Sequence, residues 1–383
     1  MAMGLAVSLG ATAMPTATAV EPVPAAPHAA TQAAIDTLKT SHGAPGSGAV
    51  VRDGGAMWSV TSGTRAINQN LPFGPDHKVK VGSLTKTFTA AVVMQLVAEQ
   101  QVDLNASVET YLPGVVQGNG CDGNTITVRQ LLNHTSGIFD YLESKQANLW
   151  DFMVVQQNRT HTLAELASWG LSKPPYFAPG AGYHYSGTNY MLLGVIIEKV
   201  TGATYGQAVH SRIVTPLGLA NTYLPTPGDP TLPPGHVRGN LDLGLVWVDI
   251  TDRVEPSIGL SGGGLVTSGA DATRFFQALM AGPVVPPAQL EEMITPTNAP
   301  GSTAPDYGLG LDKFTLPCGG EAWGHYGIWP GYQTIAAATK DGRAAFVEVN
   351  DLGVNDLDAM AGSGSGGGVN RSVTLVAALC DRS

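Results

Sequence analysis

Apolar and polar positions change their period several times along the chain, and these changes divide it into segments. Residues 31–41 repeat at helical spacing and read as a short amphipathic helix. Residues 48–63 alternate β-forming positions around Asp53-Gly54-Gly55, which predicts a hairpin. Residues 83–101 are almost uncharged, rich in Ala, Val, Leu and Phe, and free of Gly and Pro. Ser83 is a suitable N-cap for that stretch, and a helix apolar on nearly all sides belongs in the middle of a protein. From Val102 to about Gly239 the pattern is mostly helical pieces broken by Pro and Gly, such as 128–134, 163–170 and 189–201, the last closed by Gly202. Beyond Gly259 it turns β-like at 265–268, 307–311, 334–338 and 344–350. A Gly/Ser-rich loop at 362–368 then precedes a final helix, 372–379.

Strands at both ends with helices between them predict an α/β fold. Its antiparallel sheet is built from both chain ends and flanked by helices, and an all-helical domain is inserted. The expected division is 30–100 plus 250–383 for the α/β part and 101–249 for the helical part, with the active site between them. No internal repeat or heptad pattern is visible.

Composition narrows the function classes. Of 383 residues 43% are hydrophobic, which supports a core, and only 13% are charged. With 48 Gly and 26 Pro the chain is rich in loops. A net charge of −10 gives no general electrostatic reason to bind nucleic acid or an anionic membrane. Residues 5–14 are small and apolar, and Ala17-Thr18-Ala19 fits a signal cleavage site, so residues 1–19 are expected to be a signal segment and the protein to be secreted. The basic start typical of such a segment is missing, and a plain Ala/Thr/Pro-rich tail through His28 is the alternative. No later run suits a transmembrane helix, so no stable membrane anchor is expected.

The three cysteines do not make a disulfide scaffold. Cys318 and Cys380 can pair in an oxidising compartment, leaving Cys121 over; three free thiols are the other reading. The nine histidines are scattered without ligand spacing, so neither a metal nor a cofactor is expected.

The chemistry starts at Ser83-Leu84-Thr85-Lys86. Residues three apart share a helical face, so Lys86 can reach the Ser83 hydroxyl. A lysine in apolar surroundings loses its proton more easily and becomes a base. The positive end of the helix favours charge developing on a reacting oxygen. The bland alternative, a capping serine with a surface lysine, fits this apolar helix poorly. Two further segments stand out: Tyr183-His184-Tyr185-Ser186-Gly187-Thr188-Asn189-Tyr190, before an apolar helix, and Gly324-His325-Tyr326-Gly327-Ile328-Trp329-Pro330-Gly331, between β-like runs.

In this order and spacing the three segments resemble the active-site motifs of penicillin-recognising serine hydrolases. Within that group the chain is similar to secreted D-Ala-D-Ala carboxypeptidases and class C β-lactamases, over roughly residues 30–380. The likeness includes Leu131-Leu132-Asn133-His134-Thr135-Ser136-Gly137, Tyr307-Gly308-Leu309-Gly310 and the placement of Cys318 and Cys380. It implies a β-lactamase/transpeptidase-like fold with Ser83 as nucleophile and Lys86 as its helical partner. Tyr185 would be the phenol relaying a proton, His325 would open the third motif, and the Ser83 and Ile328 N–H groups would form the oxyanion hole. A phenolate beside an ammonium, acting as general base, is the expected state of Tyr185. The plainer alternatives are a buried aromatic for Tyr185 and a loop histidine for His325.

Departures from the family pattern bear on substrate. Tyr185-Ser186-Gly187 lacks the usual amide at Gly187, and Asn189 stands two residues further on. Tyr326 replaces a small hydroxyl residue before Gly327. Asp312, followed by Lys313, stands where a cation can occur. Gly187, Asn189, Tyr326, Gly327 and Trp329 are therefore the expected substrate-binding positions, and Trp150, Tyr176 and Trp247 are further aromatic candidates for the cleft or the core. Gly259-Leu260-Ser261-Gly262-Gly263 matches a nucleophile elbow, but a glycine turn into a strand follows it where a helix is needed. The expectation is a hydrolase that forms an acyl-enzyme at Ser83 on small peptide or amide substrates of the D-Ala-D-Ala type. An esterase or peptide acyltransferase (cyclase) on the same fold, and a non-catalytic relative, are the alternatives. Oligomeric state is left open.

Overall fold

The computed structural model describes residues 27–147, 159–244, 246–297, 306–353 and 368–382. The expected signal segment, Trp150 and most of the 362–368 loop lie outside them. Helix α1 (Ala29–His42) leads into strands β1 (Gly46–Asp53) and β2 (Ala56–Gly63), joined by the two-residue loop Gly54-Gly55. The central helix α2 (Thr85–Ala98) follows. Then come α3 (Leu163–Leu171) and α4 (Gly187–Thr201) of the helical stretch, α5 (Gly269–Met280), strands β3 (Asp312–Thr315), β4 (Glu321–Trp329), β5 (Tyr332–Thr339) and β6 (Arg343–Val349), and α6 (Gly368–Cys380). The sheet runs β2-β1-β6-β5-β4-β3, antiparallel throughout. Positions from opposite ends of the sequence pair across it, Ser47 with Val349 for example. The sheet is thus built from both ends of the chain, as the sequence pattern predicts.

Alternation along the strands divides the core. One face packs Ala49, Val51, Ile335, Ala345 and Val347 against Ile35 and Leu38 of α1 and Leu375 and Leu379 of α6. The other places Ala336, Ala338, Ala344 and Phe346 against α5 and the larger core around α2, where Phe88 stacks on Phe275 at 3.7 Å. Eleven of the fourteen side chains of α2 are buried, which follows from its lack of a polar face.

The predicted helix start differs in detail. Residues Gly82–Leu84 form a tight 3-10 turn, helix α2 begins at Thr85, and the Ser83 hydroxyl caps nothing. The β-like 307–311 segment is not a strand: Tyr307 makes a single bridge to Asp312, and Gly310 turns the chain with φ +76° before β3 begins. The helical stretch also carries short strands at Asn240–Asp242 and Trp247–Asp249, the first pairing in parallel with Asp351–Gly353.

Candidate active site

The Ser83 turn is pressed against strand β4. Gly82 has φ +53°, and a Cβ there would collide with the Ile328 carbonyl and lie 2.8 Å from Ile328 N. A Cβ on Gly327 would collide with the Val81 carbonyl and lie 3.0 Å from Ser83 N. Only glycine permits this approach, which sets the Ser83 and Ile328 backbone nitrogens on the two sides of one gap. Side chains fix the turn: Thr85 Oγ1 donates to Gly82 O at 2.7 Å, and Thr334 Oγ1 donates to Val81 O at 3.1 Å.

Lys86, 2% exposed, donates from Nζ to Ser83 Oγ at 3.0 Å and to Gly262 O at 2.7 Å. Burial holds its ammonium down to about 7, with the Asp140 carboxylate pulling the other way. Its Nζ also sits 4.8 Å from the centroid of the Tyr185 ring. Gly262 belongs to the single helical turn Leu260–Gly263, and Ser261 within it is fully buried, donating to Tyr190 O at 2.7 Å. The Gly-x-Ser-x-Gly match is therefore a support for Lys86.

Tyr185 Oη is buried and makes no hydrogen bond among the described residues. Burial pushes the phenol well above 10; the Ser83 hydroxyl nearby pulls it down, but not within bonding geometry. This corrects the expected phenolate. Burial outweighs the nearby charges, and the phenol stays protonated. His325 is also neutral, pushed down to about 3 by burial and then by Lys86. One ring nitrogen faces Tyr326 O and the other lies 3.1 Å from Tyr307 Oη. If Nδ1 carries the proton for the carbonyl, Nε2 accepts from Tyr307.

Three residues to which the sequence assigned no role complete the site. His134, in the left-handed conformation at φ 60°, accepts from Ser186 N at 3.1 Å, and its ring lies 4.3 Å from that of Tyr185. Tyr307 packs against both His134 and His325. Asp140 fills the space left by Gly187: a Cβ there would lie 3.2 Å from Asp140 Oδ1 and 2.7 Å from the Tyr141 ring. Burial pushes Asp140 up to about 6, against the pull of the Leu142 and Gly187 N–H groups and of Lys86. The His134 turn had been noticed in the sequence, but nothing in its composition indicates which ring it supports.

Ser83, Lys86, Tyr185, His325, Gly327 and Ile328 thus converge. Other expected substrate contacts lie elsewhere. Asn189 is fully buried on α4, with its Oδ1 accepting from Ser136 Oγ at 2.6 Å and its amide beside His134 Nδ1. Trp329, 5% exposed, belongs to the inner core, packed over Gly259 and 5.7 Å below Lys80 Nζ. Tyr326 follows the strand alternation and packs its ring against the outer core. Cys318 and Cys380 are joined, with Cα atoms 5.7 Å apart, and Cys121 is a buried free thiol. Among the described residues no cluster of three or more His, Cys, Asp or Glu is arranged to hold a metal.

Comparison with known proteins gives one consistent answer. The Beta-lactamase family profile matches residues 31–361. Penicillin-binding protein 4* of Bacillus subtilis is 29% identical over 84% of this chain and 71% of its own length. Among solved structures, a D-stereospecific amidohydrolase from Streptomyces sp. superposes with TM-score 0.78 at 38% identity, covering 88% of this chain and 99% of that one. The D-amino acid amidase from Ochrobactrum anthropi SV3, complexed with L-phenylalanine amide, gives TM-score 0.75 at 26% identity over 91% and 96%.

Proposed function

The chain belongs to the beta-lactamase family, and on that premise we propose that it hydrolyses the amide bond on the carboxyl side of a D-configured residue through an acyl-enzyme at Ser83. The observation that carries this is the bond from buried Lys86 to Ser83 Oγ, made by a lysine held down to about 7. As a free amine Lys86 accepts the Ser83 proton while Oγ attacks the carbonyl carbon. The N–H groups of Ser83 and Ile328 receive the oxyanion. The phenol of Tyr185, lying over Lys86, passes the proton to the departing nitrogen, and water reverses the sequence to free the acid. His134 and the Tyr307–His325 pair hold that phenol in place.

The D-configuration is supported by the amidohydrolase at 38% identity, which aligns with nearly its whole length. D-Ala-D-Ala is one substrate of this type and a D-aminoacyl amide is another. With Tyr326 packed outward, the resemblance's clamp for a terminal carboxylate is altered, which favours the amide. Export is proposed as well, supported by the Cys318–Cys380 bond, which suits an oxidising compartment.

Ammonia release from D-alaninamide and L-alaninamide, and alanine release from D-Ala-D-Ala, test the reading with Ser83→Ala alongside. Turnover of either D-substrate, absent in Ser83→Ala, is expected. Turnover that survives Ser83→Ala, or is confined to the L-amide, would overturn it.

A further inference from the structure

Lys86 makes its second hydrogen bond to the Gly262 carbonyl, and Gly262 has no side chain with which to aim that carbonyl. Glycine is required there, since a Cβ would lie 2.8 Å from Met191 Cε. Leu260, two residues earlier, has φ +28°, a strained conformation for a residue of this size that persists only where its surroundings impose it. Around this turn stand hydroxyls with no part in the chemistry above. Thr89, fully buried on α2 one turn beyond Lys86, donates from Oγ1 to Ser261 O at 2.6 Å. Behind it Tyr205 opens the short helix Tyr205–Val209, with its hydroxyl 2.8 Å from Thr89 Oγ1. Ser261 Oγ donates in turn to Tyr190 O at 2.7 Å.

The direction of these bonds follows from the protons available. Thr89 has one hydroxyl proton, and Ser261 O at 2.6 Å is closer to it than Thr85 O at 3.3 Å. Burial pushes the Tyr205 phenol up, so it keeps its proton, and among the described residues its hydroxyl bonds only Thr89. The chain of donors therefore runs from Tyr205 to Thr89 to Ser261 O. It fixes the peptide unit joining Ser261 to Gly262, and through it the next carbonyl, Gly262 O, 2.7 Å from Lys86 Nζ. A free amine has two N–H bonds and one lone pair. With one N–H held by Gly262 O, the rotation of the amine is restricted and its lone pair can face Ser83 Oγ, 3.0 Å away. We infer that Thr89, backed by Tyr205, is a positioning residue that aims Lys86 at Ser83 through the Ser261-Gly262 peptide. The inference rests on the reading of Lys86 as the base for Ser83.

Thr89→Val keeps the shape of the side chain and removes its hydroxyl, whereas Thr89→Ser keeps the hydroxyl. Single-turnover acylation by a p-nitrophenyl ester, followed from pH 5 to pH 9.5, compares them with the wild type. Thr89→Val should lower the plateau rate about 10-fold while ester binding stays within twofold. Its inflection should also move down from about 7 by roughly half a pH unit, because a carbonyl turned away from the ammonium no longer favours the charged form. Thr89→Ser should restore both. Combining Thr89→Val with Tyr205→Phe leaves no phenol stranded, so thermal stability should recover while acylation stays as slow as in Thr89→Val. An unmoved inflection in Thr89→Val, a Thr89→Ser as slow as Thr89→Val, or a rate that returns with stability in the double variant would overturn the inference. Any of these beside a wild-type inflection near 7 contradicts the positioning role alone, whereas a wild type without that inflection contradicts the reading of Lys86 as base and the inference with it.

Discussion

The two faces of the sheet treat polar groups in opposite ways. On the outer face they are paired: Thr31 N and Oγ1 both donate to Asp381 Oδ2, Arg343 bonds Asp53 at 2.8 Å, and Cys318–Cys380 ties α6 to the segment before β4. On the inner face Lys86, His134, His325 and Asp140 are all buried, and each is pushed toward its neutral form mainly by burial. The outer face secures the two ends of the chain. The inner face keeps groups ready to change charge when substrate arrives, an arrangement that favours activity over stability. Substitutions on the two faces should therefore separate rate from stability.

The largest expected effect is on the inner face. Lys86→Met should lower the rate of Ser83 acylation on the order of 10³-fold or more, since it removes the base bonded to the nucleophile, as stopped-flow with a p-nitrophenyl ester would show. Gly327→Ala should cost about 10²-fold in kcat, because its methyl group would push β4 away from the Ser83 turn and spread the oxyanion donors. His134→Asn should cost about 10-fold in kcat with little change in KM, since it holds the Tyr185 segment and touches no substrate. The smallest kinetic effect belongs to the outer face. Replacing both Cys318 and Cys380 by Ser should remove about 2–4 kcal/mol of stability in denaturant titration while kcat stays within twofold. A large kcat loss in that variant, or a large stability loss in Lys86→Met with full activity, would break the contrast between the faces.

Much of the architecture was legible in the chain because its periods are clean. The uncharged run became buried α2, and the alternating ends became one sheet. The approach of Ser83, Lys86, Tyr185 and His325 was legible through motif order. Side-chain direction was not. Tyr326 and Trp329 are neighbours of catalytic candidates in sequence, yet which face each meets depends on partners recruited from the other end of the chain. Protonation was equally hidden: the state of Tyr185 depends on enclosure by His134 and His325, residues remote from Lys86 in the sequence. The role of Asp140 emerged only once Gly187 was seen to leave room for it.

The central claim is that Lys86, brought down to about 7 by burial, is the base for Ser83. The single-turnover acylation rate of the wild type, followed from pH 5 to pH 9.5, tests it most directly. Below about 7 Lys86 keeps its proton and cannot accept another, so the rate should fall roughly tenfold per pH unit there and level off above. Tyr185, a phenol throughout this range, should add no second inflection. A rate independent of pH through 7, or one that rises only near the ordinary lysine value of about 10.4, would contradict the account.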